Sequence, residues 1–410
     1  MNGINSGDTA FVLLSAGLVM LMTPGLALFY GGMVRAKNVL GTIMHSFFIL
    51  GMASVIWVVV GYSLAFGPDI GGFIGGLNWL GLRGVGQTPN ADYAANLPHL
   101  AFMIFQCMFA VITPALITGA FAERMKFSGF VAFIGLWCVL VYAPVAHWVW
   151  GVGGWIRNLG AMDFAGGAVV HVNAGVAALA AVLVVGRRKD FGDGSLVPHN
   201  LPLTVLGAGL LWFGWFGFNA GSALGANGLA ASAFVVTNLA AAMAALSWAV
   251  AEWLHRGKPT TLGVVSGSVA GLVAITPASG FVGPMSALVI GLLAGAVCYG
   301  GVLAKSRLGY DDSLDVVGIH GVGGVLGALL TGLFASKLIN PAGQNGLFFG
   351  GPLSVFGVQA LAVAVIMAYS FVTSFLLLKL VQVTIGLRVT DEEEETGLDL
   401  SQHNEVGYAL

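Results

Sequence analysis

Charged side chains are the scarcest class in this sequence: Asp, Glu, Lys and Arg make up 8% of its 410 residues. A globular domain carries roughly a quarter, so the composition excludes an ordinary soluble protein. Apolar residues make up 57% and are spread over the whole length, whereas a single apolar core stops growing at about 250 to 300 residues. The apolar excess therefore predicts many membrane-crossing helices.

Cysteine is scarce as well, and nothing in the sequence marks a reactive centre. Cys107, Cys138 and Cys298 lie in apolar segments without metal-ligand spacing, so we interpret them as small buried hydrophobic residues. No nucleophile has an orienting base, and there is no phosphate loop. We expect no enzymatic activity, no cofactor, no metal and no nucleic-acid partner. The N-terminus lacks a basic region and a cleavage site, so we expect no signal peptide.

The apolar runs predict an all-α integral membrane protein with eleven transmembrane helices. About 20 apolar residues cross a bilayer as a helix, and the 62 glycines allow close helix packing. The runs lie near residues 8–33, 39–66, 98–121, 127–150, 162–186, 199–222, 229–253, 261–277, 284–304, 314–335 and 351–383. Residues 67–97 form a long Gly-rich loop, with a short helix expected at GGLNWLGL.

The basic residues predict the orientation. Counted by alternate loops, one set of loops holds 13 Lys and Arg residues and the other holds three, Arg83, Arg157 and Lys337. Because cytoplasmic loops carry the excess, we expect the N-terminus outside and the C-terminus in the cytoplasm. We expect a transporter domain at 1–387 and a cytoplasmic tail at 388–410. The acidic run DEEEE in that tail is either a solvated face or a docking segment.

One motif occurs twice. Residues 163–175 read DFAGGAVVHVNAG and residues 312–324 read DSLDVVGIHGVGG, so Asp163 stands eight residues before His171 as Asp312 stands eight before His320. The copies belong to the fifth and tenth spans, which run in opposite directions. We interpret them as halves of a five-plus-five inverted repeat, at about 8–187 and 198–336, followed by the last helix at about 351–383.

The repeat predicts where the histidines lie. Eight residues at 1.5 Å each carry both helices about 12 Å inward, so His171 and His320 are expected to meet near the middle of the bilayer. A lone buried histidine is more often a packed core residue, but an ionisable group at this depth indicates a pathway or relay. Asp163 and Asp312 have a structural alternative too, because a carboxylate that opens a helix caps its free N–H groups.

Aromatic side chains gather near the expected outer ends of three spans. They are Phe105 and Phe109 in the third span, Trp148, Trp150 and Trp155 around the end of the fourth, and Trp215 and Phe218 near the end of the sixth, together with Ser222. Interfacial tryptophans alone are an ordinary aromatic belt. Rings with a hydroxyl nearby are also what a small desolvated cation needs.

These residues together predict the substrate. A metal cation would enter an apolar passage with two histidines and no oxygen cage to replace its water. A cation that releases a proton could continue as a neutral molecule, and imidazole accepts and passes protons at neutral pH. Ammonium has this property.

The sequence resembles the ammonium transporter family (Amt/Mep/Rh). The matching stretches include MTPGLALFYGGMVRAKNVL, ITGAFAERMKFS, APVAHWVWGVGGW, WFGWFGFNAGSAL and the two histidine motifs, and the tail GLDLSQHNEVGY is similar too. Trp150 in VWGVGG favours the Amt branch. The resemblance implies eleven membrane helices, a homotrimer with one pore per subunit in the plasma membrane (the inner membrane of a Gram-negative cell), and a cytoplasmic PII-type signalling protein as partner.

The resemblance also implies residue roles. The substrate site for ammonium, with methylammonium as an analogue, comprises Phe109, Trp150, Ser222 and Asp163. The pore gate comprises Phe109, Phe218 and the adjacent Phe105. The pore histidines are His171 and His320, whose rings share a hydrogen bond. We expect NH4+ to lose its proton and cross as NH3, with the proton transferred separately and charge moved overall.

Two alternatives come from other classes. The first is an ammonium sensor that signals through its tail without conducting. The second is an electron carrier in which the paired histidines bind a haem, although nothing else in the sequence marks a redox site.

Overall fold

The computed structural model describes residues 3–192, 194 and 196–408. Within those residues ten helices are long and apolar enough to cross a membrane, and one further apolar helix, Thr261–Ile275, is shorter. In chain order the eleven are α1 (Ser6–Met33), α2 (Ala36–Phe66), α3 (His99–Ala120), α4 (Phe127–Asn158), α5 (Gly167–Val185), α6 (Leu201–Gly221), α7 (Gly228–Arg256), α8 (Thr261–Ile275), α9 (Pro284–Leu308), α10 (Val317–Phe334) and α11 (Leu353–Thr384). The predicted all-helical membrane architecture is confirmed.

The eighth predicted span is a shorter helix than expected. With 15 residues, α8 is about 22 Å long, against a hydrocarbon core about 30 Å thick. Pro277 follows and has no N–H to extend the hydrogen-bond ladder. The chain continues through buried turns that include Ala278, and Val282 after them is buried as well.

Helices α5 and α10 begin later than predicted, at Gly167 and Val317 rather than near 162 and 314. The residues just before them turn through left-handed backbone, with φ of 110° at Gly166 and 64° at Asp315. Both helices open with a π-helical stretch, Gly167–Val172 and Val317–Gly321. Each histidine of the repeated motif lies within its helix's π-helical stretch, a feature often found at functional sites.

Three sets of helix–helix contacts organise the bundle. Helix α1 lies along α6, α5 crosses α10, and α7 packs against both α8 and α9. Close approach at the second pair depends on glycine: a Cβ added to Gly175 on α5 would lie 2.3 Å from the Cα of Gly321 on α10. These contacts bring the two copies of the repeated motif together.

Small elements cover the two ends of the bundle. The loop after α2 contains two short antiparallel strands, β1 (Asp69–Ile70) and β2 (Ile74–Gly75), and a 3₁₀ helix at Leu77–Leu82, where a short helix was predicted. The C-terminal tail forms α12 (Asp391–Thr396) and α13 (Leu398–His403).

Candidate functional site

An aromatic cavity of about 170 Å³ opens at one end of the bundle, where α3, α4 and α6 converge. Three of its lining residues, Phe109, Trp150 and Ser222, were predicted from the sequence to form the substrate site. The full lining is Phe66, Asp92, Tyr93, Phe102, Gln106, Phe109, Trp150, Arg157, Phe164, Ser222 and Leu224. The fold therefore collects residues from α2, α3 and α4, from the loop after α2 and from the chain just after α6 around one space.

Hydrogen bonds orient two of these side chains. The Trp150 indole N–H donates to the backbone carbonyl of Asp163 at 2.9 Å, which fixes the ring plane. The Ser222 hydroxyl donates to the carbonyl of Phe218, one helical turn earlier, at 2.8 Å. Since a hydroxyl has one proton and two acceptor lone pairs, the Ser222 oxygen is left as an acceptor.

Aromatic rings in mutual contact lie at the inner side of the aromatic cavity. Phe109 meets Trp150 edge-on, with ring centroids 5.7 Å apart, and lies against Phe218 at 4.3 Å. Phe218 has no exposed surface. Phe105, predicted as part of the gate, packs edge-on against Phe109 at 5.0 Å and lines neither this cavity nor the passage beyond it. Phe109, which lines this cavity, and Phe218, which lines the passage, are the two rings between them, named the closing pair.

Beyond Phe218 lies a narrow histidine passage with a cavity volume of about 10 Å³, enough for roughly one water-sized molecule. Apolar side chains from α1, α3 and α6 line it together with His171 and His320. The two imidazoles approach through their Nδ1 atoms at 3.3 Å. The His171 Nε2 atom is buried without a hydrogen-bond partner, so it is available to a molecule in the passage.

Trp215 supports the histidine passage from the side. Its ring stacks on His171 with centroids 5.3 Å apart and an interplanar angle of 19°, and its indole N–H donates to Thr276 at 2.8 Å. The sequence placed Trp215 with the outer aromatic residues. The structure places it deeper, because α6 continues to Gly221 and six residues of helix span about 9 Å.

The Asp163 carboxylate caps the start of α5. Its two oxygens accept four backbone N–H groups at 2.6–3.1 Å, from Gly166, Gly167, Ala168 and Val169. Asp163 does not line the aromatic cavity; it lines a neighbouring one that shares Trp150, Arg157 and Phe164 with it. Its contact with the predicted site runs through its own backbone carbonyl and Trp150.

Asp312 occupies the equivalent position before α10, but its carboxylate accepts fewer hydrogen bonds. One of its carboxylate oxygens accepts the Val317 N–H at 2.7 Å, and the other is buried without a partner. Each copy of the motif therefore has its own capping carboxylate. Asp163 accepts four backbone N–H groups, whereas Asp312 accepts one.

A family profile decides the identity. The profile of the Ammonium Transporter Family matches residues 10–408, nearly the whole chain. The chain belongs to the ammonium transporter family. Helices of this length in a member of a transporter family make it a multi-pass membrane protein.

Individual relatives agree with the profile. The ammonium transporter of Bacillus subtilis (strain 168) is 54% identical over 403 residues, covering 98% of each chain. Ammonium transporter Amt1 of Archaeoglobus fulgidus is 49% identical over 405 residues, covering 99% of this chain and 100% of the relative. The crystal structure of Saccharomyces cerevisiae Mep2 superposes with a TM-score of 0.89 at 36% identity, covering 95% of this chain and 89% of that one. A solved structure named Sensor Amt Protein gives 0.88 at 32%, covering 97% and 98%.

The end of this transporter that carries the tail is held by a buried ion-pair network. Arg188 bridges Glu123 and Asp311, at 2.7 Å to each, and Arg35 also contacts Glu123. Burial raises the pKa of the Glu123 and Asp311 carboxyls, but the neighbouring arginines outweigh burial and hold both below their usual range. Both carboxyls are therefore ionised at neutral pH.

The tail docks on these loops. Glu394 accepts hydrogen bonds from the Lys189 backbone N–H and from Arg388, at 2.8 and 2.7 Å. The Asp399 carboxylate accepts the N–H groups of Leu40 and Gly41 at the start of α2. The acidic run is therefore a docked segment in part, although Glu395 is largely exposed.

Sequence reasoning missed several residues that line the aromatic cavity. Gln106 was not singled out, although it lies three residues before Phe109 and therefore on the same face of α3. Tyr93 and Asp92 come from the long loop and carried no recognisable signal, because only the fold brings that loop over the cavity. Arg157 was counted for orientation alone and proves to line the cavity as well.

Proposed function

We propose that this protein carries ammonium across the membrane by binding NH4+ in the aromatic cavity and passing NH3 through the histidine passage. The arrangement that supports this proposal is a succession of three neighbouring features: an aromatic cavity with an acceptor hydroxyl, a closing pair of rings, and a passage the size of one small molecule. A proton must be removed between the first and the third.

The aromatic cavity is suited to a small cation. Trp150 and Phe109 present ring faces and edges to it, and a cation over a desolvated ring gains about 2 kcal/mol or more. The Ser222 oxygen accepts a hydrogen bond because its own proton is already committed to Phe218. A water molecule or ammonia gains the hydrogen bond but not the full cation–π attraction.

The histidine passage is suited to a neutral molecule. Its lining residues include no carboxylate. Moving an isolated ion out of water into such a passage costs far more free energy than moving a neutral amine. We place the loss of the proton near Asp163, at the start of α5. His171 and His320, in contact through Nδ1, then pass the proton separately, so that each turnover moves charge.

We propose that all eleven helices, including α8, cross the membrane, with the N-terminus outside and the tail in the cytoplasm. The contacts of α1 with α6 and of α5 with α10 fit the five-plus-five inverted repeat. The basic residues that meet the acidic tail, Lys37, Lys189 and Arg388, belong to the set of loops expected in the cytoplasm. We further propose a homotrimer in the plasma membrane and a PII-type partner at the tail side.

The sensor remains a second candidate, since one similar solved structure is named Sensor Amt Protein. The haem alternative does not fit. The two histidine nitrogens are 3.3 Å apart in direct contact, and the passage between the surrounding helices has room for about one water-sized molecule.

The test is ammonium-evoked current from the purified protein in proteoliposomes, with potassium-only and protein-free controls. We expect a saturable current specific to ammonium. A rise in luminal pH without current would show that NH3 crosses alone, and would contradict the proposed proton relay. Ammonium binding without current or pH change would overturn transport in favour of the sensor.

A further inference from the structure

Gln106 is a polar side chain in the aromatic cavity with no role so far. It lies on α3, one turn before Phe109, and lines the same cavity as Trp150 and Ser222. Its Oε1 atom is buried and has no hydrogen-bond partner. Burying a carbonyl oxygen without a hydrogen-bond partner costs free energy relative to leaving it in water. An unpaired oxygen at this position therefore indicates a ligand that supplies the hydrogen bond.

The geometry of α3 puts Gln106 at the level of the proposed ammonium position, on the open side of the Phe109 ring. Three residues of α-helix rise about 4.5 Å, and α3 enters the bundle at His99, so Gln106 lies on the open side of the Phe109 ring. Phe109 and Phe218 close the cavity beneath. An ion resting above Phe109 and beside Trp150 is therefore at the level of Gln106.

The chemistry of ammonium requires more acceptors than the rings provide. The ion carries four N–H donors, whereas the cavity's assigned site offers one side-chain oxygen, on Ser222. The terminal amide torsion of glutamine is broad and two-fold, and Oε1 has no hydrogen bond to break, so it is free to turn toward the ion. Hydrogen bonds to a charged partner are the strong ones.

We propose that the Gln106 carbonyl oxygen is a second hydrogen-bond acceptor for the ammonium ion, opposite the Ser222 hydroxyl, and that it contributes to selectivity for ions with N–H donors. This inference rests on the proposed function of the aromatic cavity. It adds a substrate-binding residue that the aromatic and hydroxyl pattern did not identify.

Two substitutions at this position separate an acceptor from a packing residue. Gln106→Met keeps the length and removes the acceptor, whereas Gln106→Glu keeps an acceptor and adds a negative charge. We expect the half-saturation concentration for ammonium uptake to rise roughly 10- to 100-fold in Gln106→Met, the loss of one charge-assisted hydrogen bond, at an unchanged maximal rate. In Gln106→Glu it should equal or fall below the wild-type value.

Methylammonium provides a second readout. It has one N–H donor fewer than ammonium, so losing an acceptor should weaken its binding less, and the preference for ammonium over methylammonium should shrink in Gln106→Met. The matched control is Gln87→Met, on an exposed residue outside the cavity lining, which should leave both half-saturation concentrations unchanged.

Uptake into proteoliposomes, with reconstituted protein quantified in each preparation, decides between the outcomes. Unchanged half-saturation in Gln106→Met, or equal rises in the Met and Glu variants, would overturn the inference. Ser222→Ala, measured alongside, separates it from the proposed function. If Ser222→Ala weakens binding and Gln106→Met does not, the cavity is still the site and only the role of Gln106 is wrong. If neither weakens binding, the site itself is wrong.

Discussion

Replacing Asp163 with asparagine tests whether its carboxylate acts on the ion or holds the start of α5. The carboxylate accepts four backbone N–H groups, two on each oxygen. An amide keeps one oxygen and presents N–H donors at the other position, so two buried donors lose their acceptor. At about 1–3 kcal/mol for each unsatisfied group, Asp163→Asn should lower the free energy of unfolding by about 2–6 kcal/mol.

Asp312→Asn is the matched control, because it stands in the second copy of the same motif. Only one Asp312 oxygen accepts the Val317 N–H, and the other has no partner. An amide can keep that bond, so the loss should be about 1 kcal/mol. The measurement is thermal or denaturant unfolding of both variants in detergent, with ammonium uptake from the same preparations.

The result expected is that Asp163→Asn loses stability and transport together, since the helix start at Gly167 positions His171 about one turn further on. Equal stability losses in the two variants would refute the reasoning from hydrogen bonds. Wild-type stability with transport abolished in Asp163→Asn would instead assign the carboxylate's charge to the ion directly.

Three further substitutions test other parts of the structure. Gly175→Val should abolish uptake, because its Cβ would lie 2.3 Å from the Gly321 Cα and would separate the two histidine helices. Arg188→Met should lower the free energy of unfolding by about 3–5 kcal/mol, since it removes the guanidinium that pairs with the buried, charged Asp311, whereas Glu123 keeps Arg35. Because the Asp311 carboxyl has a lowered pKa, the wild-type contribution is present at neutral pH and is lost as the pH falls below about 4. Phe218→Ala should change ion selectivity by opening the closing pair, measured as potassium current.

Each of these predictions has a contradicting result. Full uptake in Gly175→Val would mean that the helices can separate without loss of the histidine contact. If Arg188→Met had the same free energy of unfolding as the wild type between pH 3 and 7, the ion-pair network would not contribute to the stability of the fold. Unchanged ammonium and potassium currents in Phe218→Ala would mean that the two rings only pack.

The sequence predicted the helices and the pairing of the histidines well, because both depend on local patterns. A run of about 20 apolar residues identifies a span, and the eight-residue spacing in the two motifs puts both histidines at similar depth. The structure brings His171 and His320 into contact at 3.3 Å. The capping alternative for Asp163 also came from a local rule, that a carboxylate at a helix start accepts free N–H groups.

Several features lay beyond such reasoning. The length of α8 depends on how the chain after Pro277 packs, and the depth of Trp215 depends on where α6 ends. Gln106 looks like any polar residue on an apolar helix until the cavity around it is known. The docking of the tail depends on the Lys189 N–H reaching Glu394 and the Gly41 N–H reaching Asp399 across large separations in sequence.

The sequence alone determined the membrane environment, the number of apolar runs and the spacing of the two histidine motifs, because hydrophobicity and spacing act within one helix. The tertiary structure alone decided which of those residues share a space. Helices α3, α4 and α6 place Phe109, Trp150 and Ser222 around one cavity, and the glycine contact between α5 and α10 closes the distance between the histidines. Such contacts join residues far apart in the chain, and their geometry is set by packing.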